Sequence, residues 1–206
     1  MEKEDLALFL GMLCGDGNLS IKNKKRKYGL YHDYCTQFCN TDINIMNFFS
    51  ELFFKIFDIK VNFYSRKREG RKEIFDFTSY SKEVFNKISE LGFPVGVKRD
   101  KLRIPKIIKN GSEKEKICFL WGLFVTDGSL KKGNRIFFHM GSKILLEEIS
   151  NLIYELFNIK KEVKEYVQKE KFFSYQLSLN KEESRKILSM PPSLNGRASV
   201  LSLKNF

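Results

Sequence analysis

Phe9-Leu10-Gly11-Met12-Leu13-Cys14-Gly15-Asp16-Gly17 returns later in the same chain as Leu120-Trp121-Gly122-Leu123-Phe124-Val125-Thr126-Asp127-Gly128. Each copy is an apolar run closed by Asp-Gly, and Gly11 with Gly122 sets the offset at 111 residues. Downstream, Leu52-Phe53-Phe54-Lys55-Ile56-Phe57-Asp58-Ile59-Lys60 resembles Leu152-Ile153-Tyr154-Glu155-Leu156-Phe157-Asn158-Ile159-Lys160, now at an offset of 100. Two similarities in the same order make the chain a repeat of one unit. The first copy carries eleven extra residues between its motif and its next helix.

Working outward, each half reads as helix, strand pair, helix, strand pair, helix. Leu6, Leu10 and Leu13 form an i, i+4, i+7 stripe on the first helix, with acidic residues in its first turn and Gly17 placed to stop it. Its counterpart opens with Ser112 and Glu115 in capping-box spacing, carries Ile117, Leu120 and Phe124, and stops at Gly128. Phe75 and Phe77 alternate with Asp76 and Thr78, as Tyr175, Leu177 and Leu179 do with Gln176 and Ser178, the period of strands with one buried face. Ser81 and the pair Asn180–Glu183 open the last helix of each half. Gly92-Phe93-Pro94-Val95-Gly96 and the basic stretch from Lys98 to Lys109 mark the joint. The expectation is a single α/β (α+β) unit of two pseudo-symmetric αββαββα halves, 1–97 and 112–206, joined by a basic linker at 98–111.

With 206 residues, 42% hydrophobic, including 20 Phe and 8 Tyr, the chain can bury its own core. A formal net charge of +12 favours a polyanionic partner, either nucleic acid or an anionic membrane surface. No apolar run approaches the roughly 18 residues of a spanning helix, and Met1-Glu2-Lys3-Glu4-Asp5 lacks the basic start of a signal peptide. A soluble, intracellular monomer of the cytoplasm or an organelle matrix is expected, with no membrane partner. Cys14, Cys35, Cys39 and Cys118 form no Cys-x-x-Cys pair and the histidines are His32 and His139, so a structural zinc site is not expected and the cysteines read as buried thiols. Phe48, Phe49, Phe53, Phe54 and Phe57 fall at helical spacing and read as core, not as base-stacking groups. His139, beside Phe137 and Phe138, reads as structural or DNA-contacting in preference to a general base.

A carboxylate at a helix C-terminus faces the negative end of the dipole and calls for a compensating cation. Asp16 and Asp127 both occupy that position. Gly11 and Gly15, four apart, allow another helix to approach closely, and Gly122 with Thr126 repeats the pattern. If the two helices pack about a pseudo-twofold axis, their aspartates emerge together. Two neighbouring carboxylates with open positions for water and phosphate suit a hard divalent cation such as Mg2+.

The two nonapeptides resemble the motifs of the LAGLIDADG homing endonuclease family in its single-chain, two-motif form, and the order of elements extends that resemblance over essentially the whole chain. The resemblance implies that the motif helices form the interface between the halves and that antiparallel sheets form a DNA-binding saddle. It makes Asp16 and Asp127 the catalytic metal ligands, with Gly15 and Thr126 lending backbone carbonyls. The sixth motif position, acidic in the family's name, is Cys14 in one copy and Val125 in the other. Supporting polar residues of such sites have only Gln37, Lys131 and Lys132 as candidates, without assigned roles.

All four hairpins are basic, which in this setting points to DNA. The first carries Lys22, Lys24, Lys25, Arg26 and Lys27, with no acidic residue between Asp16 and Asp33. Arg66, Lys67, Arg68, Arg71 and Lys72 cluster at the second, Lys131, Lys132 and Arg135 at the third, and Lys164, Lys169 and Lys171 at the fourth. Two-stranded ribbons fit the major groove, where Gln176 is a candidate base reader. The activity implied by the resemblance is metal-dependent cleavage of a long double-stranded site with short 3′ overhangs. The alternatives are an RNA maturase acting on intron RNA and a DNA-binding protein that has lost cleavage. No splicing-domain sequence flanks the motifs, so an uncut intein is not expected.

Overall fold

In a computed structural model, the motif helices α1 (Lys3–Asp16) and α5 (Glu113–Asp127) pack against each other at the centre, with one half of the chain built around each. The structure describes all residues except 1, 27–28, 68, 71, 132, 169–171 and 193–206. From α1 the chain runs through β1 (Gly17–Arg26), β2 (Gly29–Asn40), α2 (Ile43–Phe57), β3 (Tyr64–Arg66), β4 (Ile74–Ser79) and α3 (Lys82–Glu90). A short α4 (Lys106–Lys109) leads to α5. The order then repeats with β5 (Gly128–Lys131), β6 (Arg135–Met140), α6 (Lys143–Phe157), β7 (Lys164–Gln168), β8 (Phe172–Ser178) and α7 (Lys181–Leu188). Each half holds one antiparallel four-stranded sheet, β1-β2-β4-β3 or β5-β6-β8-β7, so the architecture is mixed α/β as the alternating patterns predict.

The motif helices are not amphipathic in the expected sense. Every residue of α1 from Asp5 to Cys14 is buried, so the Leu6-Leu10-Leu13 stripe is one part of a helix covered on all sides. That is the signature of a helix inside the core, not on its surface. Gly17 and Gly128 stop the two helices as expected, but not as left-handed caps. Their backbones are extended (φ −89° and −81°), and a Cβ there would lie 2.3 Å from Leu13 Cδ1 or 2.2 Å from Phe124 Cδ2. Glycine is needed for space at the sharp exit into β1 and β5, not for a left-handed cap.

α2 places Phe49 and Phe53 fully in the core, where Phe49 stacks on Phe38 at 3.8 Å between centroids. Phe54 corrects the core reading: it is 49% exposed, because the buried stripe of α2 passes through Phe49, Leu52, Phe53 and Ile56 and turns Phe54 outward. Ser81 caps α3, Ser112 caps α5, and Asn180 with Glu183 forms a reciprocal capping box on α7. The joint is more than a tether, since Leu102, Ile104 and Ile108 are buried in the core. Glu148 on α6 accepts from the Ile104 N–H (2.6 Å) and from Lys109 Nζ (2.5 Å), and Arg99 Nε donates to the Gly141 carbonyl at 3.1 Å. No helix among the described residues is long and apolar enough to cross a membrane.

Candidate active site

The two motif helices meet through their backbones. An ideal Cβ on Gly11 would lie 2.1 Å from the Phe119 carbonyl oxygen, and one on Gly122 would lie 2.1 Å from that of Leu8. One turn later a Cβ on Gly15 would fall 2.0 Å from Thr126 Oγ1 and 3.4 Å from Asp127 Cγ. The close crossing therefore continues to the helix ends, where the aspartates emerge.

Two cavities open there, each combining the carboxylate of one motif helix with the last turn of the other. The first, about 640 Å³, is lined by Asp16, Asn40, Arg66, Val125 and Thr126 among others. The second, about 580 Å³, includes Asp127, Cys14, Gly15, Lys98, Arg99 and His139. The partial exposure of both aspartates leaves them accessible from these cavities. Asn40 Nδ2 donates to Asp16 Oδ2 at 2.6 Å, which fixes that carboxylate. At the corresponding place in the second half, Met140 has no such donor to offer.

Lys98 is the residue that sequence reasoning missed. Its ammonium donates to the Cys14 carbonyl at 2.9 Å and to the Gly15 carbonyl, placing a cation on the negative end of α1. Burial lowers its pKa, while Asp127, the Cys14 thiol and Asp16 pull in the opposite direction. The Cys14 thiol itself is pushed up to about 12, chiefly by burial, and stays a neutral packing group. Gln37, in contrast, accepts from Asn18 Nδ2 (3.3 Å) and Ser20 Oγ (3.1 Å) on the sheet. Lys131 lies over the Phe137 ring at 4.3 Å.

The donors around the aspartates are carboxylate and carbonyl oxygens, the set that hard divalent cations take. That the Gly15 and Cys14 carbonyls already receive an ammonium shows that this helix end attracts positive charge. Thr126 Oγ1 turns back to the Gly122 (3.2 Å) and Leu123 (3.0 Å) carbonyls. Among the described residues there is no group of three or more His, Cys, Asp or Glu side chains placed to hold a metal. A cation held by Asp16 or Asp127 would complete its shell with water and phosphate oxygens, which fits an open divalent-cation site better than a closed structural one.

Strand register sorts the basic residues. Leu19, Phe38 and Phe77 lie on the helix-packed face of the first sheet. The opposite, outer face receives Lys22 and Lys24 of β1, Gln37 of β2 and Arg66 of β3. Lys24 is ion-paired across the ladder with Asp33 at 2.5 Å, a partner that lies nine positions away in sequence. Arg66 is held side-on by Asp76, which also accepts from Cys39 Sγ at 2.8 Å. Lys25, Lys67, Lys72, Lys131, Arg135 and Lys164 are exposed, and Arg26 ends β1. On the second sheet Gln176 lies across from His139 on one side and Lys164 on the other, all on the outer face. Lys27, Arg68, Arg71, Lys132, Lys169 and Lys171 lie outside the described residues.

Residues 114–189 match the family model described as a LAGLIDADG-like domain. The chain superposes on I-DmoI in complex with DNA and Mn with a TM-score of 0.67, covering 95% of this chain and 99% of that one at 18% identity. The chain has the LAGLIDADG fold, and residues 114–189 carry a LAGLIDADG-like domain. I-WcaI bound to its DNA recognition sequence has a TM-score of 0.58 at 18% identity, covering 91% of this chain and 81% of that one. A stretch of 169 residues, 81% of the chain, is 32% identical to the replication factor C small subunit of Methanocaldococcus jannaschii, of whose length it spans 8%. Within the LAGLIDADG fold the two departures at the sixth motif position have a structural reason. Cys14 and Val125 are each 1% exposed, so both positions lie inside the packed helix crossing and hold uncharged side chains.

Proposed function

We propose that this LAGLIDADG chain is a site-specific endonuclease of double-stranded DNA that uses magnesium or another divalent cation and cuts both strands to leave 3′ overhangs. The observation that carries the reading is the pair of equivalent cavities, each joining one motif aspartate to the opposite helix end, between two sheets with basic outer faces. I-DmoI and I-WcaI, which share the fold, are DNA-bound in their solved structures. A divalent cation at Asp16 or Asp127 would supply activation of water and stabilisation of the leaving oxygen. The protein's own part is orientation and charge. Asn40 holds the Asp16 carboxylate in one rotamer, and Lys98 sets a positive charge between the end of α1 and Asp127, where a phosphate would arrive. Outer-face lysines would hold phosphates, with Gln176 placed to read a base edge. Selection of cleaved duplexes from a random DNA library in magnesium, with a chelator control, tests the reading. Recovery of no cleaved sequence, or cleavage that survives chelation, would overturn it.

Lys98→Met separates catalysis from folding. It should lower the cleavage rate by about 10²-fold, the scale of removing one electrostatic group from a dry site, with DNA affinity nearly unchanged. Burial disfavours the ammonium while its bonds to the Cys14 and Gly15 carbonyls favour it, so the two effects oppose each other and the variant should melt close to wild type. Single-turnover cleavage and thermal melting check the two halves of this expectation, and a large drop in melting temperature would make Lys98 a structural group instead.

Lys22→Ala combined with Lys24→Ala should weaken binding to all duplexes and make the slope of log K against log salt shallower by about 0.9 for each phosphate no longer neutralised. Lys24 contributes less if its bond to Asp33 persists on DNA. Titrations on duplex DNA and on a folded intron RNA, run in parallel, check the partner. Weakening confined to RNA would favour the maturase reading.

A further inference from the structure

β1 and β5 leave the two motif aspartates in the same way, each beginning at the very next residue, Gly17 or Gly128. They travel different distances. β1 stays paired with β2 over ten positions, from Gly17 with Phe38 to Arg26 with Gly29, whereas β5 and β6 pair over four, from Gly128 with Phe138 to Lys131 with Arg135. At about 3.3 Å per residue, six further pairs carry the first hairpin about 20 Å past the point where the second turns back. The other hairpins only slightly offset this, with three pairs between β3 and β4 and five between β7 and β8.

The added length is a ribbon without a core beneath it. Among its described residues, from Ile21 (45% exposed) to Lys25 and at Leu30 and Tyr31 (61% and 43%), both faces are open. A two-stranded ribbon of this kind is marginal by itself. It is held by cross-strand ties, Lys24 to Asp33 at 2.5 Å and the His32 ring to Asn23 Oδ1 at 2.7 Å. Its described cations include Lys22, Lys24 and Lys25. An exposed, basic, side-chain-tied ribbon continuous with the strand that leaves Asp16 is shaped to follow a polyanion away from the cut.

We propose that recognition is lopsided: the N-terminal half contacts the duplex further from the cleavage centre than the C-terminal half does, by up to about six base pairs at 3.4 Å each. The ribbon makes that difference, lying in the major groove with Lys22 and Lys24 toward the DNA. This inference rests on the reading of the chain as a duplex DNA endonuclease.

The test is a hydroxyl-radical footprint of the full chain, in calcium, on a duplex that the protein itself has selected from a random library. Wild type should protect about six base pairs more on one side of the cut than on the other. A variant with residues 23–32 replaced by Asn-Gly, which closes Lys22 and Asp33 with a two-residue turn, should lose about four of those base pairs and nothing from the short side. A second measurement does not depend on that variant folding. Trimming the outer base pairs of the long side should weaken wild type severalfold but leave Lys22→Ala/Lys24→Ala almost unaffected, because that variant no longer grips the trimmed base pairs. A symmetric wild-type footprint, reduced protection on the short side, or equal effects of trimming on both proteins would overturn the proposal. If the library yields no selected duplex at all, it is the endonuclease reading that fails.

Discussion

Asp16→Asn and Asp127→Asn are each expected to abolish linearisation of a target plasmid while leaving duplex affinity within about twofold. Each change removes a charged oxygen ligand at the end of a motif helix, and loss of one such ligand typically costs about 10²-fold or more in rate. The outer-face residues that would hold DNA are untouched, since Lys22, Lys24 and Gln176 lie on strands and not in the helix ends. Binding titrations beside time courses in magnesium check the separation. Asparagine keeps the size of the side chain, and at position 16 it can still accept from Asn40 through its carbonyl oxygen. A mutant that linearised the plasmid at the wild-type rate would remove that aspartate from the catalytic assignment.

Gly11→Leu and Gly122→Leu should each cost more than about 3 kcal/mol of stability, beyond the usual range for an overpacked core. The first atom of the new side chain already meets a carbonyl oxygen of the facing helix at 2.1 Å, and backbone cannot rotate away as a side chain can. Even Gly122→Ala should destabilise measurably. Chemical denaturation of each variant checks the expectation, with Lys25→Ala as an exposed control. Wild-type midpoints would mean that the helices do not cross at these glycines.

The repeat made most of the architecture legible. Once Asp16 and Asp127 are matched, one half's pattern supports the other's, and the ambiguous strands of either become a shared register. The eleven-residue insertion was visible as well, and the ladders place it in the first hairpin. Residues that act across long sequence separations were not legible. Lys98 sits within a basic stretch where composition cannot distinguish one lysine from the next, and only the fold brings it onto the end of α1. The Arg66–Asp76 and Lys24–Asp33 pairs have the same origin, because an acid that looks distant in sequence becomes a neighbour across a ladder. The stripe on α1 misled for a different reason. Periodicity finds the face that packs first, and a helix enclosed by both halves has no face left to contrast with it.

The joint between the halves has a practical consequence for anyone rebuilding the molecule. Residues that composition marks as a spacer supply a half-buried lysine to the cleft, three apolar side chains to the core and two anchors to α6. A gene opened between 98 and 111, or rejoined there through a neutral flexible spacer, would therefore not deliver two interchangeable modules. Chimaeras that exchange one half for a relative's should carry this segment across intact, as a third inherited piece.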